Sequence, residues 1–361
     1  MVDKIYPLAS APGVERDGTV FSATSYIDSQ WCRWYRSLPK KMGGYKQIET
    51  DLPRIVQGMY VIPETPNFNV YVGDRSTLKF LPIDATGKPV GAFVDRTPVG
   101  FSDNVDNVWM FDRMFSTTDD GSILIAHAAP NLAAIDSAVR QPVWFGEMFS
   151  NAPLESTDIN LSGGIAVLHP FLFAFGDTGQ VIWTQANTPN VILNEARVTG
   201  EKIIAMLATR GGNSSPAGLM WSLTSVIRVT QTGTTEPAFT FDTVSGDSSI
   251  LSSRCVVEYG GQYFWPAIDR FLVYAGTVQE LPNSMSLEYF FSNLDFSQRQ
   301  KVWGTQIAKW GEIWWHFPNK SLPEYDGECN DAVIYNIREK TWYATRISRS
   351  SGYIDPTFSF P

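Results

Sequence analysis

The chain has 361 residues, of which 43% are hydrophobic and 18% charged, and it carries a net charge of −9. That length can bury a large core, and so few charges exclude a disordered tail. The acidic balance argues against general nucleic-acid binding, which needs basic surface to displace counterions; it is compatible with a wall past which DNA slides without sticking.

Residues 1–50 differ from the rest and read as an N-terminal arm and docking segment. Gly13, Gly18 and the polar run Ser22 to Ser25 suggest an extended course. Between Ser29 and Ile48 stand Arg33, Arg36, Lys40, Lys41 and Lys46, with no acid among them. In an acidic chain that local reversal has two readings. One is a solvated strand edge blunted by Lys and Arg against aggregation. The other is a docking surface for an acidic partner or for nucleic acid.

From residue 51 to 361 one unit recurs in degenerate form: two short apolar strands around a polar turn. Its clearest copy is Tyr263-Phe-Trp265, the bend Ile268-Asp-Arg270, and Phe271-Leu-Val-Tyr274. Other copies are Asn69 to Val72 with Leu78 to Leu81, and Met114-Phe115 with Ile123 to Ala126 across Asp119-Asp120-Gly121. Ile165 to Leu168 leads to Phe171 to Phe175 and Val181-Ile-Trp183. Leu219-Met-Trp221 precedes Val226 to Val229. Glu312 to Trp315 precedes Ala332 to Tyr335 and Thr341-Trp-Tyr343. Aromatic and β-branched residues favour a pleated, half-buried surface, and Gly and Asp punctuate it. The copies lie roughly 45 to 55 residues apart, near the propeller range of about 40 to 50. The fold class is therefore all-β, a β-propeller of about six blades.

Two helices are expected. A short one is centred on Ile203 to Leu207. A second, inserted between repeats, places Leu287, Phe290, Phe291 and Leu294 on one apolar face, with Ser284 as its cap. Pro356 and Pro361 stop regular structure at the end. The ring then either lacks a final closing element or is closed by the N-terminal segment.

No constellation for catalysis, cofactor binding or metal ligation stands out. His169 and His316 read as turn or packed histidines, and no Gly-x-Ser-x-Gly elbow exists. Gly211-Gly212 lacks the Lys-Ser/Thr of a phosphate loop. The oxygen-rich stretches Asp103 to Asn107 and Asp326 to Asp331 fit turn chemistry. Paired carboxylates are the main enzymatic option, because glycoside hydrolysis needs two at close range. Candidates are Asp177, Asp242, Glu258 and Asp269. The clusters Trp31/Trp34/Tyr35 and Trp310/Trp314/Trp315 suit either core packing or sugar stacking, with packing favoured. Cys32, Cys255 and Cys329 form no CxxC pair and suit a reducing compartment. The start, Met1 to Tyr6, lacks a signal-peptide apolar stretch, and no apolar run approaches the roughly 20 residues of a membrane span.

Taken in order, these features resemble a known family: the packaged-DNA stabilisation or tail-hub proteins of short-tailed bacteriophages. The resemblance begins at Tyr26-Ile-Asp28 and the basic segment ending Leu38-Pro-Lys-Lys-Met-Gly-Gly-Tyr45. It continues through Ile165 to Trp183, Leu219 to Arg228 and Tyr263 to Pro282. It ends on a helix-then-hairpin order: Leu287 to Leu294, Gln298-Arg-Gln-Lys301, Glu312 to Pro318, Ala332 to Asn336 and Thr341 to Tyr343. It implies a structural virion protein of the neck or tail, without catalytic residues or cofactors. Such proteins form a ring, usually a homohexamer, below the portal and adaptor. The ring extends the DNA channel and retains packaged DNA without sequence-specific contact. Arg33, Arg36, Lys40 and Lys41 would then dock on an acidic adaptor or a neighbouring subunit. Exposed loops would meet a tail needle, spike or fibre. The competing readings are a carbohydrate-active or carbohydrate-binding propeller and a generic protein-interaction propeller.

Overall fold

The computed structural model describes residues 10–354, apart from 20, 46, 49–51, 53, 65, 102, 105–106, 118–120, 130–142, 147–153, 155–160, 210–216 and 235–237. The arm comes first: β1 (Ala11–Val14) pairs in parallel with β2 (Ser25–Tyr26), and β3 (Cys32–Tyr35) forms a hairpin with β4 (Leu38–Lys41). Six blades follow. Blade 1 is β5 (Gly58–Glu64), β6 (Asn67–Gly73), β7 (Leu78–Ile83) and β8 (Val94–Asp95). Blade 2 is β9 (Val108–Ser116), β10 (Gly121–Ala129) and β11 (Trp144–Phe145). Blade 3 is β12 (Gly164–Leu168), β13 (Phe171–Phe175), β14 (Gln180–Gln185) and β15 (Thr188–Arg197). Blade 4 is β16 (Ile203–Ala208), β17 (Ala217–Ser222), β18 (Val226–Gln231) and β19 (Phe239–Ser245). Blade 5 is β20 (Val257–Tyr259), β21 (Gln262–Pro266), β22 (Phe271–Tyr274) and β23 (Val278–Glu280). Blade 6 is β24 (Trp303–Ile307), β25 (Glu312–Phe317), β26 (Asp331–Asn336) and β27 (Thr341–Arg346). Each blade is an antiparallel meander, and the first strands of blades 1, 2, 3, 4 and 6 line the centre.

The fold is a β-propeller, and each of the six sequence copies falls in its own blade. The copies were visible because blades pack on both faces, so a middle strand reads as a continuous apolar run. All five residues of β13 are buried, and so are all six of β25. Between blades 5 and 6, Phe271 lies 5.0 Å from Trp315 and 4.7 Å from Trp342, ring to ring. Each such buried ring contributes on the order of 2–3 kcal/mol by area.

The helix expected at Ile203 to Leu207 is instead the innermost strand β16. An inner strand buried on both faces has no alternation, so helix and strand templates fit it equally well. Pairing with β17 decides the outcome. The inserted helix does form, as α1 (Leu287–Asn293). Its N-terminal amides are not held by Ser284: Asp17 of the arm accepts from Glu288 N at 2.9 Å and Tyr289 N at 2.8 Å. A 3-10 helix, Phe296–Lys301, then leads into blade 6.

Among the described residues no strand is exchanged between the last blade and the first. The arm instead covers one face of blade 6. Val14, Trp34 and Met42 pack there against Trp314, Ile334 and Tyr343. At the seam beside blade 1 lies the segment after β27. Arg349 carbonyl accepts from Trp303 Nε1 at 2.8 Å, and Tyr353 meets Tyr60 at 4.7 Å between rings.

Inner strands start where the blades converge, and there the chain uses glycine. A Cβ on Gly58 would sit 2.5 Å from the Trp109 Cβ, and one on Gly304 would sit 2.4 Å from Val257 Cγ2. Those gaps are far inside van der Waals contact. Gly304→Ala is expected to cost about 1–3 kcal/mol through forced displacement of blade 5. Urea unfolding measures it, and an unchanged midpoint would show that the convergence is looser than described.

Candidate docking surface and central channel

The arm hairpin turns in two residues, Arg36 and Ser37, both with left-handed backbone (φ 53° and 60°). That geometry suits right-twisted strands but favours Asn or Gly, so Arg and Ser hold it at some cost. Glu339 supplies the compensation: its carboxylate accepts from Arg36 N at 2.7 Å and Ser37 N at 3.1 Å. A turn of blade 6 therefore shapes the turn of the arm.

Alternation along β3 separates its side chains. Trp34 enters the core and stacks near Tyr343 at 5.0 Å. Arg33 is also buried. Its Nε lies 2.9 Å from Glu312 Oε1, and its Nη2 donates to Oε2 at 3.1 Å. Glu312 is fully buried and also accepts from Tyr343 Oη at 2.6 Å and Trp314 Nε1 at 2.9 Å. Burial and the adjacent carboxylate push the Tyr343 phenol well above its ordinary range. The Arg33 guanidinium also covers the Trp310 ring at 4.8 Å.

This corrects the expected role of Arg33. It is an internal anchor between arm and blade 6, unavailable to an outside partner. Arg36, Lys40 and Lys41 are exposed. Lys40 lies over Trp310 at 4.6 Å and Lys309 over the same ring at 5.6 Å. Arg36 lies over Tyr35 at 5.3 Å. Lys46 lies outside the described residues. Beside the three cations stand exposed Leu38 (68%), Tyr35 (38%) and Trp31 (36%). In a two-residue hairpin the Tyr35–Leu38 pair carries the ladder bonds, so Pro39 faces the open edge of β4, where it offers no donor. That edge resists strand addition. Contacts here would be made by side chains.

The second feature is the channel between the innermost strands, with a volume of about 260 Å³. Arg254 lies at the end where the inner strands begin, and its Nη1 donates to the Gln57 carbonyl at 2.9 Å. Burial lowers Arg254 to about 10, which leaves it charged at neutral pH. The segment Ser351 to Tyr353 lines the same space. Asp112 on β9 is the one carboxylate among the described lining residues. Its Oδ2 accepts from Val167 N at 2.7 Å and its Oδ1 from Arg113 N at 2.8 Å. Asp112 is partly exposed and lines the channel. Burial pushes its carboxyl up to about 6, against the pull of those two amides. Tyr60, Phe111 and Tyr353 line the same channel.

The carboxylates proposed for glycan chemistry are not brought together. Asp177 is buried against Ser162 at 2.6 Å and Lys202 at 3.5 Å. Glu258 accepts from Gly261 N at a turn, Asp269 pairs with Arg270, and Asp242 lies on the outer strand β19. None of them lines the channel. His316 packs flat on Trp303 at 4.2 Å, and burial drives it down to about 3, so it stays neutral. His169 is exposed at the β12–β13 turn. Burial raises all three thiols, Cys255 to about 11, which makes them poor nucleophiles. Among the described residues no group of His, Cys, Asp and Glu could hold a metal, and no helix is long and apolar enough to cross a membrane.

Neither a family model nor a curated protein matches the chain. Among solved structures it is similar to BBS1N, crystallised in complex with ARL6DN, at 7% identity over 83% of this chain and 84% of that one, with a TM-score of 0.48. It is also similar to the computationally designed Ika8 protein, at 11% identity over 81% of this chain and 71% of that one, with a TM-score of 0.37. Neither likeness bears on function.

Breaking the internal ion pair should be costly, because the survivor is a buried charge without its partner. Arg33→Met is expected to lower stability by about 3–5 kcal/mol, and the double variant Arg33→Met/Glu312→Leu should recover most of it. Equilibrium urea unfolding of both variants reads this. A neutral single variant would mean that Glu312 is satisfied without Arg33.

Proposed function

We propose that this propeller is a structural assembly protein, one subunit of a ring in the neck or tail of a short-tailed bacteriophage virion, docked through its N-terminal hairpin. The observation that carries the reading is the hairpin surface. Arg36, Lys40 and Lys41 surround exposed Leu38, Tyr35 and Trp31 on a hairpin pinned to blade 6 by a buried ion pair. Aromatic anchors rimmed by charge are what a protein interface uses. A cationic patch on a chain of net charge −9 steers towards an acidic partner and away from the rest of its own surface. The acidic partner is an adaptor or portal surface, or the next subunit of a homohexameric ring. Tail needle, spike or fibre proteins would meet the blade loops.

A channel of about 260 Å³ is far too narrow for a nucleic-acid duplex. In this reading DNA passes between the copies of a ring, along acidic walls that it does not bind. A glycosidase would need a second carboxylate facing Asp112, and the described lining offers none.

The reading predicts that Arg36→Glu/Lys40→Glu/Lys41→Glu leaves folding intact, since all three side chains are exposed, yet lowers incorporation into particles at least tenfold. Particles assembled with the variant should lose packaged DNA. Complementation followed by particle composition and DNA content measures both. Normal incorporation and full DNA retention would sink the docking role.

A further inference from the structure

The chemistry around Asp112 does not belong to the docking role. A carboxyl lines the channel, and among the described residues no cation pairs with it. Among the described residues its hydrogen-bond donors are the amides of Val167 and Arg113. Tyr60 stands 6.0 Å from Phe111 and 4.7 Å from Tyr353, ring to ring, so three aromatic faces border the same space. Met59, Met110 and Met206 complete a soft, polarisable lining. A carboxylate with aromatic faces and no counter-ion is the arrangement that receives an organic ammonium group.

We propose that the central channel binds a small molecule through a compact ammonium group, which pairs with the Asp112 carboxylate and lies against Tyr60, Phe111 and Tyr353. The volume of about 260 Å³ limits the ligand to a small molecule. The other charged groups near Asp112 are Arg113, next to it on β9, and Arg254 at the end of the channel. Tyr60 of blade 1 and Tyr353 of the terminal segment face it as neutral phenols. Asp112 lies three residues along β9 from Trp109, or about 10 Å deeper than the level of Arg254. A second positive charge on the ligand is therefore disfavoured at the Arg254 end. A negative one, as in a zwitterion, is favoured there.

The test uses the full chain and three probes of one shape: choline, glycine betaine and the neutral isostere 3,3-dimethylbutanol. Titration calorimetry or ligand-detected NMR at pH 8 should show saturable binding of choline, betaine or both. Tighter betaine binding assigns a zwitterion, and tighter choline binding a simple cation. The neutral isostere should bind at least tenfold more weakly. Asp112 must be ionised to bind, so affinity should fall about tenfold at pH 5, below its raised titration point of about 6. Asp112→Asn should remove at least tenfold in affinity and abolish the pH dependence. Tyr60→Leu should weaken binding severalfold at constant pH and serves as the second reading if Asp112→Asn misfolds. Equal binding of the neutral isostere, indifference to pH, or no saturation of choline and betaine at tens of millimolar would each overturn the proposal.

Discussion

A ring of blades must bury both faces of every blade, including those at its two ends in sequence. Here each blade is built from consecutive strands, and among the described residues no strand pairing crosses the seam. The burden falls on side chains and on two terminal segments. The arm covers the exposed side of blade 6 with Val14, Trp34 and Met42, and the chain after β27 lies beside blade 1 through Tyr353. The pair Arg33–Glu312 fixes the arm in that position. It places a charge in the core, and three hydrogen bonds to the Glu312 carboxylate together with the close Arg33 Nε contact offset the cost.

Much of this fold was legible in the sequence. Middle strands such as Phe171 to Phe175 and Phe271 to Tyr274 announce themselves, because burial on both faces demands unbroken apolar runs. Inner and outer strands were harder to read. The inner strand β16 satisfies helix and strand patterns alike, and only its partner β17 settles the matter. The outer strand β15 is mostly exposed, with Val191, Ile192 and Leu193 facing solvent, so no burial pattern marks it. The inserted helix was visible by its period, but its cap was not. Asp17 lies about 270 residues away in sequence, and local rules cannot find such a partner.

The candidate site was legible in part. The excess of basic residues between Ser29 and Ile48 falls on the β3–β4 hairpin. Charge alone could not sort Arg33 from Arg36, Lys40 and Lys41: Arg33 and Lys40 are cross-strand partners on one face of the hairpin, both over Trp310, and only the distant Glu312 draws Arg33 inside. The missed partner, Glu312, carried a signal of its own: an acid opening the apolar run Ile313 to Phe317. Asp112 offered a similar sign, a lone acid inside strand β9. An acid inside an apolar strand needs a local reason, and in these two cases the reasons differ. One anchors the arm, and the other faces a channel.

The central claim is that the arm is a structural part of blade 6 and presents its cations from a rigid base. Native-state hydrogen exchange read by mass spectrometry tests this most directly. The account predicts that peptides covering Cys32 to Lys41 are protected within about tenfold of peptides from β27, because both open only when blade 6 opens. Exchange of the hairpin at unprotected rates, with β27 still protected, would contradict it and make the arm a loosely held tail.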